Sequence, residues 1–159
     1  MSIAEDLDAV GEALTAYGAP LLGFERRTHW SAEETLVRAL PVARTDTTIL
    51  RVLPVFIRDR MASLTWPMIF EHARELNVIR ELGALLELTA ALAGLPALAR
   101  LANELWIAPS GVAEPFLPIP NRFARELAEA RTPPAMRRWG FLINMDEEIF
   151  RSLLARHAA

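Results

Sequence analysis

Three arginines recur at an interval of seven residues, Arg44, Arg51 and Arg58, and side chains so spaced share one face of a continuous helix. A guanidinium grips a carboxylate or phosphate through two parallel hydrogen bonds, so this face is a candidate anion-binding site, with His72 as the nearest proton carrier in sequence. Salt-bridging to acids elsewhere in the chain, or plain solvation, accounts for the same pattern without a ligand. A second basic area joins Arg137 and Arg138 to Trp139, with Arg122, Arg125 and Arg131 upstream. An aromatic ring among arginines can stack on a nucleic-acid base. Together with Phe116, the same residues can instead form a surface for a protein partner.

Other chemistries find little support. The histidines are His29, His72 and His157, and no two stand four apart around a glutamate as catalytic zinc sites require. His72 and Glu75 share a helix face, but two ligands do not hold a metal, so no metal site and no cofactor is expected. Asp6 and Asp8 form a D-x-D pair inside a predicted helix, where they point about 200° apart and cannot chelate one ion. Ser110-Gly111 lacks the flanking glycines of a nucleophile elbow, and no glycine-rich phosphate loop is present. The adjacent pairs Glu33/Glu34 and Glu147/Glu148 suit the first turns of helices, where they favour the macrodipole. No catalytic residue is assigned.

Composition narrows the field further. All 17 basic residues are arginine, which removes Schiff-base lysines; a GC-rich coding sequence is explanation enough. There is no cysteine, hence no disulfide, thiolate nucleophile or cysteine-held metal. A net charge of −3 argues against broad attraction to nucleic acid. The acidic N-terminus does not resemble a signal peptide, and the best candidate span, Val78–Leu95, carries Arg80, Glu81 and Glu87, so a cytoplasmic, non-membrane protein is expected. Residues 1–35 carry a net −5 and residues 36–60 a net +3, which predicts that the acidic part lies beside the basic one.

The elements that must position these residues are helical. With 52% hydrophobic residues, the 159-residue chain can bury a core as one domain. Val78–Leu95 is apolar or small apart from its three charges, and a helix apolar nearly all round needs neighbours on several sides. Arg80 and Glu87, seven apart, occupy one narrow face of it. Ser2 with Glu5, and Ser31 with Glu34, are capping boxes, the second with Trp30 as hydrophobic staple. Thr35–Val42 nearly repeats as Thr48–Val55, and each copy puts a proline after two turns, where it bends or ends a helix. Thr65 caps a helix with Pro67 in its first turn and Asn77 at its end; a further helix runs from Pro96 to Trp106.

Beyond Trp106 the pattern changes. Residues 107–120 hold four prolines in fourteen positions and should be extended. Asn121 caps a helix to Ala130, and Asn144 or Asp146 caps a last one. Arg137–Ile143 is rich in aromatic and branched residues and reads as a strand, paired with Leu117–Ile119 or with a second copy of the chain.

The expected fold is therefore mainly all-α: a single-domain bundle of about six to eight helices, with a proline-kinked hairpin and one short β element near 137–143. Within 1–159, a helical core spans 1–106, a proline-rich connector 107–120, and a helix–strand–helix segment 121–159. The expected function is non-enzymatic: protein–protein interaction or regulation, as an antitoxin-like or accessory partner of a bacterial enzyme, with self-association included. The alternatives are a nucleic-acid-binding regulator using the arginine faces at 44–58 and 137–138, or a binder of small anionic ligands.

Overall fold

In the computed structural model, which describes residues 3–157, almost all regular structure is helical. The elements are α1 (Ile3–Ala16), α2 (Ala32–Ala43), α3 (Thr47–Arg60), α4 (Trp66–Glu75), α5 (Ile79–Ala93), α6 (Pro96–Leu105), β1 (Glu114–Pro115), α7 (Arg122–Arg131), α8 (Pro134–Arg138), β2 (Phe141–Leu142) and α9 (Glu147–Arg156). The fold is all-α with one minimal parallel sheet. Among the described residues no helix is long and apolar enough to cross a membrane. The chain divides into two compact units, Met1–Ile79 and Arg80–Ala159.

In the first unit α2 packs against α1, α3 and α4. Val10, Ala13 and Leu14 form the buried stripe of α1, facing a core that includes Leu36, Leu40, Ile49 and Leu53. The Ser2–Glu5 capping pair lies outside the described residues. Ser31 caps α2 through a hydrogen bond from the Glu34 amide (3.0 Å), and Asp46 caps α3 through one from Ile49 (3.0 Å). Trp30 is covered by Arg38, whose guanidinium stands 4.8 Å from the ring centroid and pairs with Glu34 at 2.9 Å.

The two proline-bearing copies do not behave alike. α2 ends at Ala43, two residues after Pro41, whereas α3 runs on from Pro54 to Arg60. A mid-helix proline removes one amide donor and crowds one carbonyl, and the buried run Val52–Ile57 holds α3 together across that defect. Thr65 is the N-cap residue of α4 but its hydroxyl makes no capping bond; instead its amide donates to Glu33 Oε2 at 3.1 Å. Asn77 ends this helix in the left-handed region (φ 57°), so that the Val78 amide reaches the Ala73 carbonyl at 2.9 Å.

In the second unit α5 is buried without a break from Glu81 to Leu86, the all-round burial that its composition predicts. After α6 the chain runs without helix to Asn121, bending at Gly111 (φ 81°), and Asn121 caps α7 by accepting from the Ala124 amide at 2.8 Å. β1 and β2 pair in parallel, Glu114 with Phe141 and Pro115 with Leu142. The expected strand over 137–143 is only half formed. Pro134 opens a helical turn through Arg138, and Gly140 (φ 85°) reverses the chain, which leaves Phe141–Leu142 extended. Its partner is Glu114–Pro115, just before the expected Leu117–Ile119, with α7 and α8 as the crossover that a parallel pair needs. Asp146, not Asn144, caps α9, whose Phe150, Leu153 and Leu154 are buried.

Candidate functional site

Continuity of α3 through Pro54 puts Arg51 and Arg58 on one face, as their spacing demands. The two meet different fates. Arg58 bonds Asp59 at 2.8 Å and its side chain is 18% exposed. Arg51 is half-buried, and its Nε has no hydrogen-bond partner. Arg44 lies at the C-terminus of α2, where its amide donates to the Pro41 and Val42 carbonyls. His72 stands 3.5 Å from Glu75 on the outer part of α4, with its side chain 39% exposed. Among the described residues no three His, Asp or Glu side chains converge as a metal set.

The first unit also carries a shallow groove of about 210 Å³ lined by Ala9, Glu12, Arg27, Thr28, His29 and Trp30. Its walls are tied locally. Tyr17 Oη donates to the Trp30 carbonyl at 2.6 Å, the Trp30 amide donates to Thr28 Oγ1 at 3.0 Å, and Arg27 pairs with Glu12 at 3.0 Å. The hydrogen bond from Arg27 to Glu12, then the charges of Glu12 and Glu25, raise the Arg27 pKa above its ordinary value. Sites for small molecules run from about 300 to 1,000 Å³, so this groove suits a single side chain better than a cofactor.

The second basic area is knitted into its own unit. Arg137 donates to the Glu129 carbonyl. Arg138 pairs with Glu87, and its guanidinium lies 4.0 Å from the Trp106 ring centroid. Trp139 and Phe116 are each 1% exposed, so neither offers surface to a partner. Trp139 meets Trp106 edge to face at 4.9 Å, and Phe116 meets Phe141 at 5.0 Å. These residues build a core, which their aromatic character alone does not distinguish from a docking surface.

Comparison with known protein families, curated proteins and solved structures finds no match. The site must be read from its own geometry.

That geometry singles out the loop Ile107–Val112, in which every residue is exposed, Ile107 at 71% and Val112 at 84%. Both ends of the loop are anchored. At one end Trp106 is held between Trp139 and Arg138. At the other, Glu114 accepts from Arg80 Nη1 at 2.7 Å and its amide donates to the Gly140 carbonyl at 2.9 Å. Arg80 also donates to the Trp139 carbonyl (3.0 Å) and lies 4.5 Å from the Phe141 ring centroid. The result is an uncharged loop on a fixed stem that presents two aliphatic side chains to solvent. The sequence marks 107–120 as a proline-rich apolar connector but does not separate its apolar residues, of which Phe116 is buried while Ile107 and Val112 face solvent.

Proposed function

We propose that this chain is a non-enzymatic interaction protein, a regulatory or accessory subunit that seats its 107–112 loop in an apolar cleft of another cytoplasmic protein. The observation that carries the reading is the outward display of Ile107 and Val112 on a stem held by Trp106 and Glu114. Exposed aliphatic residues become favourable contacts only when a partner removes them from water. An anchored loop loses less conformational freedom on docking than a free one, which favours affinity. The absence of charge from Ile107 to Ala113 matches an apolar cleft, not a nucleic-acid backbone. In the other basic area, Arg137 and Arg138 already have acceptors within their own unit, which weakens the nucleic-acid alternative there.

The test is site-specific photo-crosslinking in the cells that make the protein. A photoreactive residue at 107 or at 112 is expected to give one discrete adduct, common to both positions and absent when the same residue replaces exposed Arg100. An adduct of twice the chain's mass would identify the partner as a second copy. No adduct above the Arg100 control at either position overturns the reading.

A further inference from the structure

The order of charge along α7 is the opposite of that along α2 and α9. α2 opens on Glu33 and Glu34 and α9 on Glu147 and Glu148, negative where the free amides gather. Their ion pairs run acid first, Glu34 one turn before Arg38 and Glu147 one turn before Arg151. In α7, Arg122 stands one turn before Glu126 and Arg125 one turn before Glu129, each pair at 3.5 Å, and no acid lies in the first turn. Base before acid is the weaker orientation within a helix, so these charges do little for α7 itself.

The same helix leaves its largest apolar residue in water. Phe123 is 69% exposed, Leu127 one turn on is half-buried, and Ala130 is exposed. Spacings of four and three place the three on one stripe, while Ala128, the one buried residue of α7, lies on another side. Beside the stripe runs an exposed charged row, Arg122, Glu126 and Glu129, positive at its start and negative over the rest.

Such a row is complementary to itself turned round. Two copies of α7 can be laid antiparallel across a two-fold axis at the level of Arg125, which sets Phe123 of each opposite Leu127 of the other. Arg122 then falls within one turn of Glu126 and Glu129 of the second copy, and symmetry repeats the contact. Arg125, about 200° round the helix from Phe123, stays clear of the junction. A parallel arrangement would set like charges together.

We propose that α7 is a self-association face, on which a second copy of this chain docks helix to helix in antiparallel order. The face belongs to the second unit and is independent of the 107–112 loop. A ten-residue helix is about 15 Å long. One face of it covers less than the ~800 Å² per partner of a standard interface, so the dimer is weak and forms as concentration rises.

The experiment is sedimentation equilibrium of the full chain from micromolar to near-millimolar concentration. The mass is expected to climb from that of one chain towards that of two, and less steeply in added salt. Arg122→Glu makes the row wholly acidic, and Glu126→Arg with Glu129→Arg makes it wholly basic; each should weaken self-association about tenfold or more. Mixed in equal amounts, the two variants should pair with each other. Both agree better with the dipole of α7 than the natural charges do, so neither threatens its folding. Phe123→Ser should abolish the dimer, and Ile107→Ser should leave it intact. A second measurement needs no variant: on dilution of wild type, amide resonances of Arg122–Arg131 should shift while those of α1 stay fixed. A chain that remains single throughout, a dimer that survives Phe123→Ser, or charge-reversed variants that fail to pair when mixed overturns the proposal.

Discussion

The indole ring of Trp139 packs so close to Gly83 that a β-carbon added there would stand only 2.1–2.6 Å from three ring atoms, well inside van der Waals contact. Gly83 stands between Arg80 and Glu87 on α5; Arg80 donates to the Trp139 carbonyl itself, and Glu87 pairs with the preceding residue, Arg138. Charge at each end and a missing side chain in the middle thus form one receiving surface for the 138–140 turn. Gly83→Ala should be destabilising although alanine is the better helix former by about 1 kcal/mol. Overpacking of this kind costs about 1–3 kcal/mol, and urea unfolding of the variant will register it. Combining Gly83→Ala with Trp139→Leu should be less damaging than the sum of the two, because the smaller side chain relieves the clash.

Arg80 tests the stem of the exposed loop. It is the donor to Glu114 and to the Trp139 and Gly140 carbonyls, with its side chain 39% exposed. Arg80→Met removes all of these at once. We expect a loss of about 1–2 kcal/mol, less than for a fully buried charge because solvent screens the Glu114 pair. Amide hydrogen exchange should quicken at Glu114 and Phe116, whose N–H groups donate to Gly140 and Leu142 across the two strands. Glu114→Gln, which keeps an acceptor, should stay within about 0.5 kcal/mol of wild type.

Two glycines with the same backbone sign should respond differently to alanine. Gly18 (φ 89°) has nothing within 4 Å of an added β-carbon, so Gly18→Ala carries only the left-handed strain of about 1–2 kcal/mol. At Gly140 (φ 85°) the added carbon would also stand 2.8 Å from Arg80 Nη2 and from Pro109 Cβ. Gly140→Ala must therefore displace the loop stem as well as strain the backbone. Its unfolding midpoint in urea should fall clearly below that of Gly18→Ala, and equal midpoints would show that the Pro109 contact is unimportant.

What was legible in the sequence was what depends on neighbours in sequence. The caps at Ser31 and Asn121, and Asp146 as one of the two candidates for the last helix, follow from a side chain and an amide three residues away. The burial of α5 follows from its composition, and the shared face of Arg80 and Glu87 from helical geometry. What meets that face was not legible, because Arg80 finds Glu114 and Trp139 at separations of 34 and 59 residues. The 137–143 strand was over-read for a local reason: aromatic and branched residues outweighed the proline at 134 and the glycine at 140, which fix helix and turn. In the candidate sites the arginine spacing was visible, but which arginine lacks an acid depends on packing. Ile107 and Val112 resemble any other apolar residues until the fold leaves them outside.

Thr132 carries the last prediction. Its hydroxyl donates its one proton to the Ala128 carbonyl (2.5 Å), with the Ile143 carbonyl the more distant acceptor at 3.1 Å, and accepts from the Ile143 amide at 2.9 Å, all in a buried setting. One side chain thus satisfies the end of α7 and the chain just past β2, two segments that no regular ladder connects. Ala128 is the one buried residue of α7, so the helix has little apolar packing to fall back on. Thr132→Val keeps the shape but leaves the Ile143 amide without an acceptor, at a cost of about 1–3 kcal/mol. Thr132→Ser restores the hydroxyl and should recover most of that loss, falling short by the value of one methyl group, about 1 kcal/mol. If Val and Ser prove equally destabilising in urea, the methyl contact and not the hydrogen bond holds this junction. If Val is also accompanied by faster amide exchange along Arg122–Arg131 than along α5, then the hydroxyl is what keeps α7 docked.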